Sequence, residues 1–411
     1  MHFIYNIISH ITWFFLTILA LLNPKMKLFV KGRKQTFSIL KKEINKGHDV
    51  IWVHVASLGE FEQGLPIIDE LKLTYPSYKI LVTFFSPSGY EVKKNTPSAD
   101  AVTYLPMDTK TNVQHFLDLT QPKLAIFVKY EIWPNYLKEL NKGNIPTILI
   151  SAIFRKNQIY FKPYGSFMKR ALGNFNYIFV QDKNSKKLLK SINIINVSVS
   201  GDTRFDRVSK IIKQDNSLNF MEQFKQNTTC FVAGSTWPED EEIIVSYINS
   251  TENKLKYVLA PHKINKDEIT SLKKSINKNT LLYSEITNQN LSDFDVLIID
   301  TIGLLTKIYS YASMAYVGGG FATGLHNTLE PAAFGIPVII GPKYKGFKEA
   351  EELVIEKGIL TIANKVEFQN TTNLLIENPD FCSRTGEINS KYVLKNKGAS
   401  TLIIEHICSL L

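Results

Sequence analysis

Ser57 and Glu60 have the types and spacing of residues that open a helix and could carry acid–base chemistry. They follow the apolar run Val50 to Val55, which is typical of a strand, so Glu60 is expected in the first turn of the next helix. The helix dipole stabilises an ionised carboxylate there, ready to accept a proton as a general base must. Acidic residues also populate first turns simply because they stabilise them, so the position allows a structural role as well.

A second carboxylate and two arginines follow other predicted strands. Glu131, in the sequence KYEIWP, comes directly after the apolar run Leu124 to Val128. Arg155 and Arg204, in SAIFRK and GDTRFD, follow two further strands. Because parallel strands end at one edge of a sheet, these cations could meet a departing phosphate near the carboxylates. Taken singly, either arginine is more typical of a solvated surface.

A glycine-rich stretch in the second half has the pattern of a strand, a loop and a helix start. The strand ending at Val317 is followed by Gly318, Gly319 and Gly320, and a helical pattern opens after His326. Glycine lets backbone amides approach a ligand, and a helix N-terminus favours an anion. A phosphate would suit this loop. The residues of the helix start are Asn327, Thr328, Leu329 and Glu330, and the spacing of the first and last also fits a capping box that needs no ligand.

Three further loops of the second half carry polar residues at strand ends. Their residues are Ser235 and Thr236, Pro261 and His262, and Thr301, Ile302 and Gly303. One such loop is ordinary, but several on one sheet edge would supply the contacts that a nucleotide needs. The sequence has no GxxxxGK[ST] motif, and its glycines do not form a GxGxxG pattern after the first strand. Both absences weigh against P-loop phosphoryl transfer and against a nicotinamide cofactor.

The length and composition of the chain indicate which class of protein and which kinds of partner to expect. The chain has 411 residues, a size at which two domains are expected, and its net charge of +10 attracts anions. Its basic residues are scattered, without the motifs of nucleic-acid-binding domains, so we expect no nucleic-acid partner. Its three cysteines are far apart, which disfavours a disulfide framework or a metal site and favours a reducing compartment.

The first residues predict attachment to a membrane. Phe3 to Leu22 contains no charged residue and is about long enough to cross a bilayer. Basic residues follow from Lys25 onward, which places the rest of the chain in the cytoplasm. Because no cleavage-site pattern follows, a spanning anchor in the inner membrane is favoured over a signal peptide. A helix lying in the plane of the membrane is the alternative.

Short β-rich runs alternate with helical patterns after the anchor, which predicts an α/β fold with parallel sheets. The first series of strands runs from Val50 to Val199 and the second from Cys230 to Ile340. A polar, helical junction is predicted at Lys210 to Asn227. We therefore predict an anchor at 1–24, Rossmann-like domains at 25–209 and 210–386 facing each other across a cleft, and a C-terminal helix at 387–411.

The ordered motifs of this chain resemble those of the lipid A Kdo transferases. This family moves 3-deoxy-D-manno-octulosonic acid (Kdo) from CMP-Kdo to a lipid A precursor in lipopolysaccharide core synthesis. The motifs are WVHVASLGE, YEIWPN, GDTRFD, GSTWPEDEE, APHK, DTIGLL and GGGFATGLHNTLEPAA. The resemblance implies a GT-B glycosyltransferase with inverting chemistry, no metal or other cofactor besides the CMP-Kdo donor, and catalytic domains on the cytoplasmic face of the inner membrane.

The resemblance also implies roles for individual residues. Glu60, within a substrate-binding turn that includes Ser57 and Gly59, matches the catalytic base of the family. Glu131 and Arg204 match residues that stabilise the transition state. Pro261–His262, Thr301–Gly303 and Asn327–Glu330 match loops that bind CMP. The chain departs from the family at two positions, with Pro261 where an arginine is frequent and Thr328 where a proline is common.

Two other functions are compatible with the same pattern. One is another GT-B enzyme, such as a UDP-sugar transferase or a sugar-nucleotide epimerase, which would differ in its nucleotide base and acceptor. The other is a non-catalytic, membrane-tethered protein that binds sugar nucleotides. The presence of both Glu60 and Glu131 weighs against the second.

Overall fold

Strands that are apolar on both faces explain why helices cover both sheets of this protein. In the computed structural model, which describes residues 1–45 and 47–411, all six residues of the strand Val50–Val55 are buried. Strands buried on both faces are typical of parallel sheets. The chain divides into two units, Met1–Arg207 with Lys397–Leu411, and Val208–Asn396.

The first unit has one parallel sheet. Its strands are β1 (Val50–Val55), β2 (Lys79–Phe84), β3 (Ala101–Tyr104), β4 (Pro122–Val128), β5 (Thr147–Ala152), β6 (Tyr177–Val180) and β7 (Val197–Val199). Its helices are α1 (His2–Leu19), α2 (Pro24–Glu43), α3 (Leu58–Thr74), α4 (Pro87–Lys93), α5 (Lys110–Thr120), α6 (Pro134–Lys142), α7 (Ser166–Leu172), α8 (Lys183–Lys190) and α9 (Thr203–Ile211). Helix α9 runs across the boundary between the units.

The order of the strands in the first sheet is β3-β2-β1-β4-β5-β6-β7. Successive strands run outward from β1 in one direction and from β4 in the other, so the direction of winding reverses between β1 and β4. These two strands pair directly, with His54 opposite Phe127. Ligands of open α/β sheets bind beyond the carboxyl ends of the strands at such a reversal. Glu60 follows β1 and Glu131 follows β4, so both carboxylates lie at this switch point.

Alternate residues of β1 pack into separate cores on the two faces of the sheet. Trp52 joins a core with residues of α5 and α6, whereas Val53 joins a core with α3. The second core also contains Ile403 and Ile407 of the C-terminal helix. The period of two along the strand therefore assigns each side chain to one face.

The second unit repeats this architecture. Its strands are β8 (Cys230–Thr236), β9 (Lys256–Pro261), β10 (Thr280–Leu282), β11 (Val296–Ile298), β12 (Met314–Val317), β13 (Val338–Ile340) and β14 (Ile359–Thr361). Its helices are α10 (Asn219–Lys225), α11 (Pro238–Ser250), α12 (Lys266–Ser275), α13 (Leu305–Ile308), α14 (Leu329–Ala333), α15 (Lys348–Glu356), α16 (Lys365–Glu377) and α17 (Pro379–Asn396). A final helix, α18 (Ala399–Cys408), belongs to the first unit.

The second sheet also has a switch point. Its order is β10-β11-β9-β8-β12-β13-β14, so the winding reverses between β8 and β12. The loop with Ser235 and Thr236 lies at the end of β8, and the glycine loop follows β12. Two doubly wound parallel sheets confirm the predicted α/β class.

Some predicted elements differ from the structure. The edge strands β10 and β14 were not predicted, because three-residue strands carry too short a pattern. The segment 210–227 is helical only at its ends, in α9 and α10, because polar residues and turns occupy the middle. The predicted C-terminal helix is two helices, broken at Gly398, whose φ of +115° is the left-handed conformation that glycine adopts readily.

Helix α1 leaves most of its apolar side chains exposed. Among the described residues it is long and apolar enough to cross a membrane, by length and composition. Its polar side makes contacts with the rest of the first unit: Tyr5 donates to Asp108 (2.8 Å), and Asn6 Oδ1 accepts from the Lys110 amide (3.1 Å) and from Asn135 (3.2 Å). The first turns of α1 are therefore attached to the folded unit.

Candidate functional site

Ser57 and Glu60 form a side-chain pair at the start of α3. Ser57 is the N-cap residue, and Glu60 lies in the first helical turn, as predicted from the sequence. The Ser57 hydroxyl donates to Glu60 Oε2 at 2.7 Å and makes no capping bond to the backbone. A capping box would instead direct both side chains to backbone amides. The arrangement thus orients a partly exposed carboxylate at the end of β1.

Glu131 is held by two nitrogen donors. His54 Nε2 lies 2.9 Å from Glu131 Oε2, and Trp133 Nε1 donates to the same oxygen at 2.9 Å. The backbone just before it is strained, because Lys129 has a φ of +67°. The exposed fraction of the Glu131 side chain is 12%. A carboxylate with fixed orientation and limited solvent contact suits electrostatic stabilisation of a developing positive charge.

Arg204 is fixed by the neighbouring Asp202. Its Nε and Nη2 atoms both contact Asp202 Oδ2 at 2.8 Å, and its amide donates to Asp202 Oδ1 at 2.9 Å. The Arg204 side chain is 32% exposed, whereas that of Asp202 is 7% exposed. The buried Asp202 thus holds the partly exposed Arg204 guanidinium in place.

The pKa values of Tyr130 and Tyr160 are shifted by charged residues of the candidate site. Burial raises the pKa of Tyr130, Glu60 raises it further, and Arg155 opposes both. Glu60 and the exposed Arg155 therefore lie within electrostatic reach of one phenol. Burial, followed by the charge of Glu131, raises the pKa of Tyr160 to about 12.

The glycine loop of the second unit is organised by a buried aspartate. Asp240, which is 0% exposed, accepts from the Tyr316 hydroxyl at 2.7 Å and from the Trp237 and Gly319 amides at 2.9 and 2.8 Å. Gly319 has a φ of +93°, and a Cβ there would lie 2.2 Å from the Gly324 carbonyl oxygen. The backbone conformation and packing of the loop therefore require glycine at position 319. Gly320 is likewise closely packed, against the backbone of Gly341.

Three rings stack beside this loop. The ring centroids of Trp237 and His262 are 4.9 Å apart, and those of His262 and His326 are 4.3 Å apart. Trp237 Nε1 donates to His326 Nε2 at 2.9 Å, which requires that nitrogen to be unprotonated. Burial, followed by the proximity of His262, lowers the pKa of His326 to about 4, so this ring is neutral near pH 7.

A pocket of about 160 Å³ opens next to the stack. Its lining includes Thr236, Pro261, His262 and Lys263, and the ammonium of Lys263 lies 4.7 Å from the centroid of the Trp237 ring. Thr236 donates to Glu241 at 2.8 Å, and Ser235 before it has a φ of +55°. The pocket therefore combines a flat ring system with one cation and with three glutamates, Glu239, Glu241 and Glu268. The ring surface suits an aromatic ligand.

The residues before α14 form a separate hydrogen-bonded group. Asn327 Nδ2 donates to Glu330 at 3.1 Å, and Asn327 Oδ1 accepts from the Leu329 amide at 3.1 Å. Thr306 donates to the other oxygen of Glu330 at 2.8 Å. The hydroxyl of the buried Thr328 has no hydrogen-bond partner within the described part of the chain. Local hydrogen bonds thus account for much of the Asn327–Glu330 geometry. The Thr328 hydroxyl forms none of them.

The predicted Thr301–Gly303 loop lies after β11 and before α13. Ile302 is 77% exposed, and Gly303 has a φ of +95°. Gly59 lies beside Ser57, with room for a Cβ at 3.9 Å from the Ser57 hydroxyl. The roles of these residues in binding stay predictions.

Several residues of these clusters were not singled out from the sequence. They are His54, Trp133, Asp202, Trp237, Asp240 and Lys263. A signal existed for His54, because it interrupts the buried apolar strand VIWVHV. No comparable pattern marks Asp240, which lies among other acidic residues in the first turn of α11. Within residues 1–45 and 47–411, no group of three or more His, Cys, Asp or Glu side chains has an arrangement that could hold a metal ion.

Comparison with known proteins finds similarity to one family of transferases. Residues 31–207 match the family model of 3-deoxy-D-manno-octulosonic-acid transferase (kdotransferase). A 3-deoxy-D-manno-octulosonic acid transferase of Haemophilus influenzae is 27% identical over 376 residues, which cover 86% of each chain. One from Aquifex aeolicus is 29% identical over 355 residues, covering 85% of this chain and 90% of the relative. The chain is thus similar to Kdo transferases over most of its length.

Solved structures place this chain in the GT-B fold class. A UDP-GlcNAc 2-epimerase from Neisseria meningitidis, bound to UDP-GlcNAc, aligns with a TM-score of 0.61 at 17% identity and covers 88% of this chain and 100% of that structure. MurG of Acinetobacter baumannii aligns with a TM-score of 0.53 at 9% identity, covering 88% and 99%. At such identities the likeness concerns the fold alone. The chain is therefore similar to Kdo transferases in sequence and to GT-B enzymes in fold.

Proposed function

We propose that this enzyme transfers Kdo, with inversion, from CMP-Kdo to a lipid A precursor in lipopolysaccharide core synthesis. The observation that carries the proposal is that each sheet has its polar cluster at its own topological switch point. The cluster at β1 and β4 supplies carboxylates, and the cluster at β8 and β12 supplies a ring stack and a glycine loop. A sugar transferase needs both kinds of site.

Glu60 is the proposed general base. It would remove the proton from the acceptor hydroxyl as that oxygen attacks the anomeric carbon of Kdo and the bond to the CMP phosphate breaks. The Ser57 hydroxyl, 2.7 Å from Oε2, holds the carboxylate in one orientation. Inverting glycosidases use a carboxylate in a comparable way to activate the attacking oxygen.

Glu131 and Arg204 are proposed to stabilise opposite charges in the transition state. The sugar becomes oxocarbenium-like as the donor bond opens, and the fixed carboxylate of Glu131 would stabilise that positive charge. The phosphate of CMP becomes more negative as it leaves, and Arg204, positioned by Asp202, would bind it. This chemistry requires a cation at the phosphate but no cofactor beyond the donor itself.

The pocket of the second unit is the proposed site for CMP. Its flat ring surface suits a nucleobase, and Lys263 suits a phosphate. The predicted donor-binding residues are Ser235, Thr236, Pro261, His262, Thr301, Ile302, Gly303, Gly319, Gly320, His326, Asn327, Thr328, Leu329 and Glu330. Of these, Thr236, Pro261 and His262 line the pocket directly.

Helix α1 is proposed to lie in the plane of the inner membrane on its cytoplasmic side. Its first turns are bonded to Asp108 and Asn135, while Phe3, Ile7 and Phe14 are exposed. A helix attached to the folded unit in this way has too few free residues left to cross a hydrocarbon core. An exposed apolar face attached to a basic protein suits an interfacial helix. This arrangement favours the in-plane alternative over the spanning anchor.

Mass spectrometry tests the proposed reaction. The full-length enzyme is incubated with CMP-Kdo and a tetra-acylated lipid A precursor, and each transferred sugar appears as a discrete mass step. We expect Kdo-dependent products and release of CMP. Parallel thermal-shift measurements should show stabilisation by CMP and little by UDP. Turnover only with a UDP-sugar would reject the proposal in favour of another GT-B activity.

Protease protection tests the placement of α1. In sealed vesicles carrying the enzyme on their outer surface, an N-terminal epitope tag should remain open to protease. A protected tag would show that the helix crosses the bilayer.

A further inference from the structure

His54 is a buried polar residue in the centre of the first sheet. Every residue of β1 is buried, and His54 is 0% exposed. Burying a polar ring without hydrogen bonds is costly, so its partners indicate what holds it there. Those partners lie on β2 and on the segment after β4.

One ring nitrogen of His54 contacts Glu131 and the other contacts Thr83. Nε2 lies 2.9 Å from Glu131 Oε2, and Nδ1 lies 2.9 Å from Thr83 Oγ1 and 3.1 Å from the Thr83 carbonyl oxygen. Trp52 Nε1 donates to Thr83 Oγ1 at 2.8 Å. These contacts form a continuous chain of hydrogen bonds from the sheet interior to Glu131.

The position of the proton on His54 Nε2 follows from this series of hydrogen bonds. An ionised carboxylate only accepts hydrogen bonds, so Nε2 must carry a proton to bond Glu131. Trp133 Nε1 lies 3.1 Å from Nε2 and 2.9 Å from Glu131 Oε2, and with Nε2 protonated it donates to Glu131 alone. Thr83 Oγ1 accepts from Trp52 and retains its own proton, which it can donate to Nδ1. If Nδ1 is also protonated, it donates to the Thr83 carbonyl instead. In both protonation states, His54 presents an N–H to Glu131.

This N–H leaves one oxygen of Glu131 for other partners. Both His54 and Trp133 bond Oε2, and the Glu131 side chain is still 12% exposed. Two donors on one oxygen fix the orientation of the carboxylate plane. Oε1 is then the oxygen that can face a ligand.

We propose that His54 is a positioning residue that fixes the Glu131 carboxylate for catalysis. The inference rests on the proposed function, in which Glu131 stabilises the transition state. Loss of an interaction that matters mainly in the transition state lowers kcat and leaves KM almost unchanged. His54 should therefore affect the rate rather than donor binding.

Steady-state kinetics of two variants test this proposal. His54→Leu removes the donor at similar volume, and His54→Gln keeps an N–H near the position of Nε2. We expect His54→Leu to lower kcat by about 10- to 100-fold with little change in the KM for CMP-Kdo, by analogy with residues that orient other functional groups. His54→Gln should recover most of that loss. His115→Gln, a matched change at an exposed histidine of α5, is the control.

The outcomes separate the inference from the proposed function. A wild-type enzyme without Kdo transfer would refute the function and, with it, the role of His54. If the wild type is active and both folded variants lose the same fraction of kcat, His54 is merely structural and the proposal fails. Full activity of folded His54→Leu also overturns it. Thermal melting of each variant establishes whether it is folded.

Discussion

The polar clusters at the two switch points of this protein differ in the groups that form them. At β1 and β4, charged side chains are held by other side chains, as in Ser57–Glu60 and His54–Glu131. At β8 and β12, the charge of Asp240 is used internally to hold backbone amides, and the exposed surface consists of rings, glycine loops and a pocket. The first cluster presents carboxylates held by other side chains, and the second presents a ring surface beside a pocket that is also lined by Lys263 and three glutamates.

This difference indicates that the two clusters have different roles, although the two units share one architecture. Catalysis requires groups that take up protons and face developing charge, so their orientation must be fixed while their charge stays available. Binding a nucleotide requires a surface that changes little with pH. The neutral His326 and the internally bonded Asp240 meet that second requirement. Substitutions in the two clusters should therefore affect different measured quantities.

The largest expected effect is on turnover at the first cluster. Glu60→Ala should lower kcat by about 10³-fold, because general bases contribute roughly 10²- to 10⁴-fold. The affinity for CMP should be nearly unchanged in calorimetry. Asp69→Ala, on the same helix, serves as the control and should retain activity. Near-normal turnover of Glu60→Ala would remove the proposed base and with it the contrast between the clusters.

The next largest effect is on stability at the second cluster. Asp240→Ala leaves the Tyr316 hydroxyl and two amides without an acceptor, and we expect the free energy of unfolding to fall by about 3 kcal/mol. Urea denaturation measures this loss. Asp240→Asn keeps one acceptor oxygen and should lose less, and Glu239→Ala, exposed on the same helix, should lose little. A stable Asp240→Ala variant would show that the loop does not depend on this carboxylate.

A smaller effect is expected on the affinity for the donor. The double substitution Asn327→Ala with Glu330→Ala should weaken CMP-Kdo binding about tenfold, or about 1.4 kcal/mol, while the enzyme stays folded. Isothermal titration calorimetry provides the measurement. Unchanged affinity in the folded double variant would leave these residues with only the local capping bonds seen before α14.

The smallest effect concerns acid stability. The pKa of His326 is lowered from 6.5 to about 4. Between these values the unfolded chain binds a proton that the folded chain does not, so stability is lost as the pH falls through this window and is unaffected above it. His326→Gln keeps an acceptor for Trp237 and should remove on the order of 1 kcal/mol of this loss, after allowance for solvent screening.

Urea denaturation at pH 5 and pH 7.5 checks the His326 prediction. The wild type should lose more stability between the two pH values than the variant. Equal losses in both proteins would mean that His326 titrates normally, and the second cluster would then be less insensitive to pH than its geometry indicates.

Most of the fold and part of the candidate site could be predicted from the sequence. The strand Val50–Val55 was predicted with the observed ends, because buried parallel strands are continuous apolar runs between turn residues. The position of Glu60 in a first helical turn followed from local spacing. The strands β10 and β14 were missed because edge strands of three residues resemble loops.

The contacts within each cluster could not be predicted in this way. His54 meets Glu131, and Trp237 meets His326, across long separations in the chain. Such pairs are set by strand order and register, which local patterns do not encode. The role of Glu60 in its first helical turn was equally open from the sequence, and the bond from Ser57 to its carboxylate is seen only in the structure.

The amino-acid sequence by itself determined the α/β class, the ordered motifs of the Kdo transferase family and the helix turn that holds Glu60. These depend on residue types within a few positions of one another. Only the tertiary structure decided which strand ends become neighbours, that β1 lies beside β4 and β8 beside β12, and that His54 supports Glu131 while Asp240 supports the glycine loop. The reason is physical: hydrogen bonds act over about 3 Å in space, and packing of the sheets determines which distant residues come within that distance.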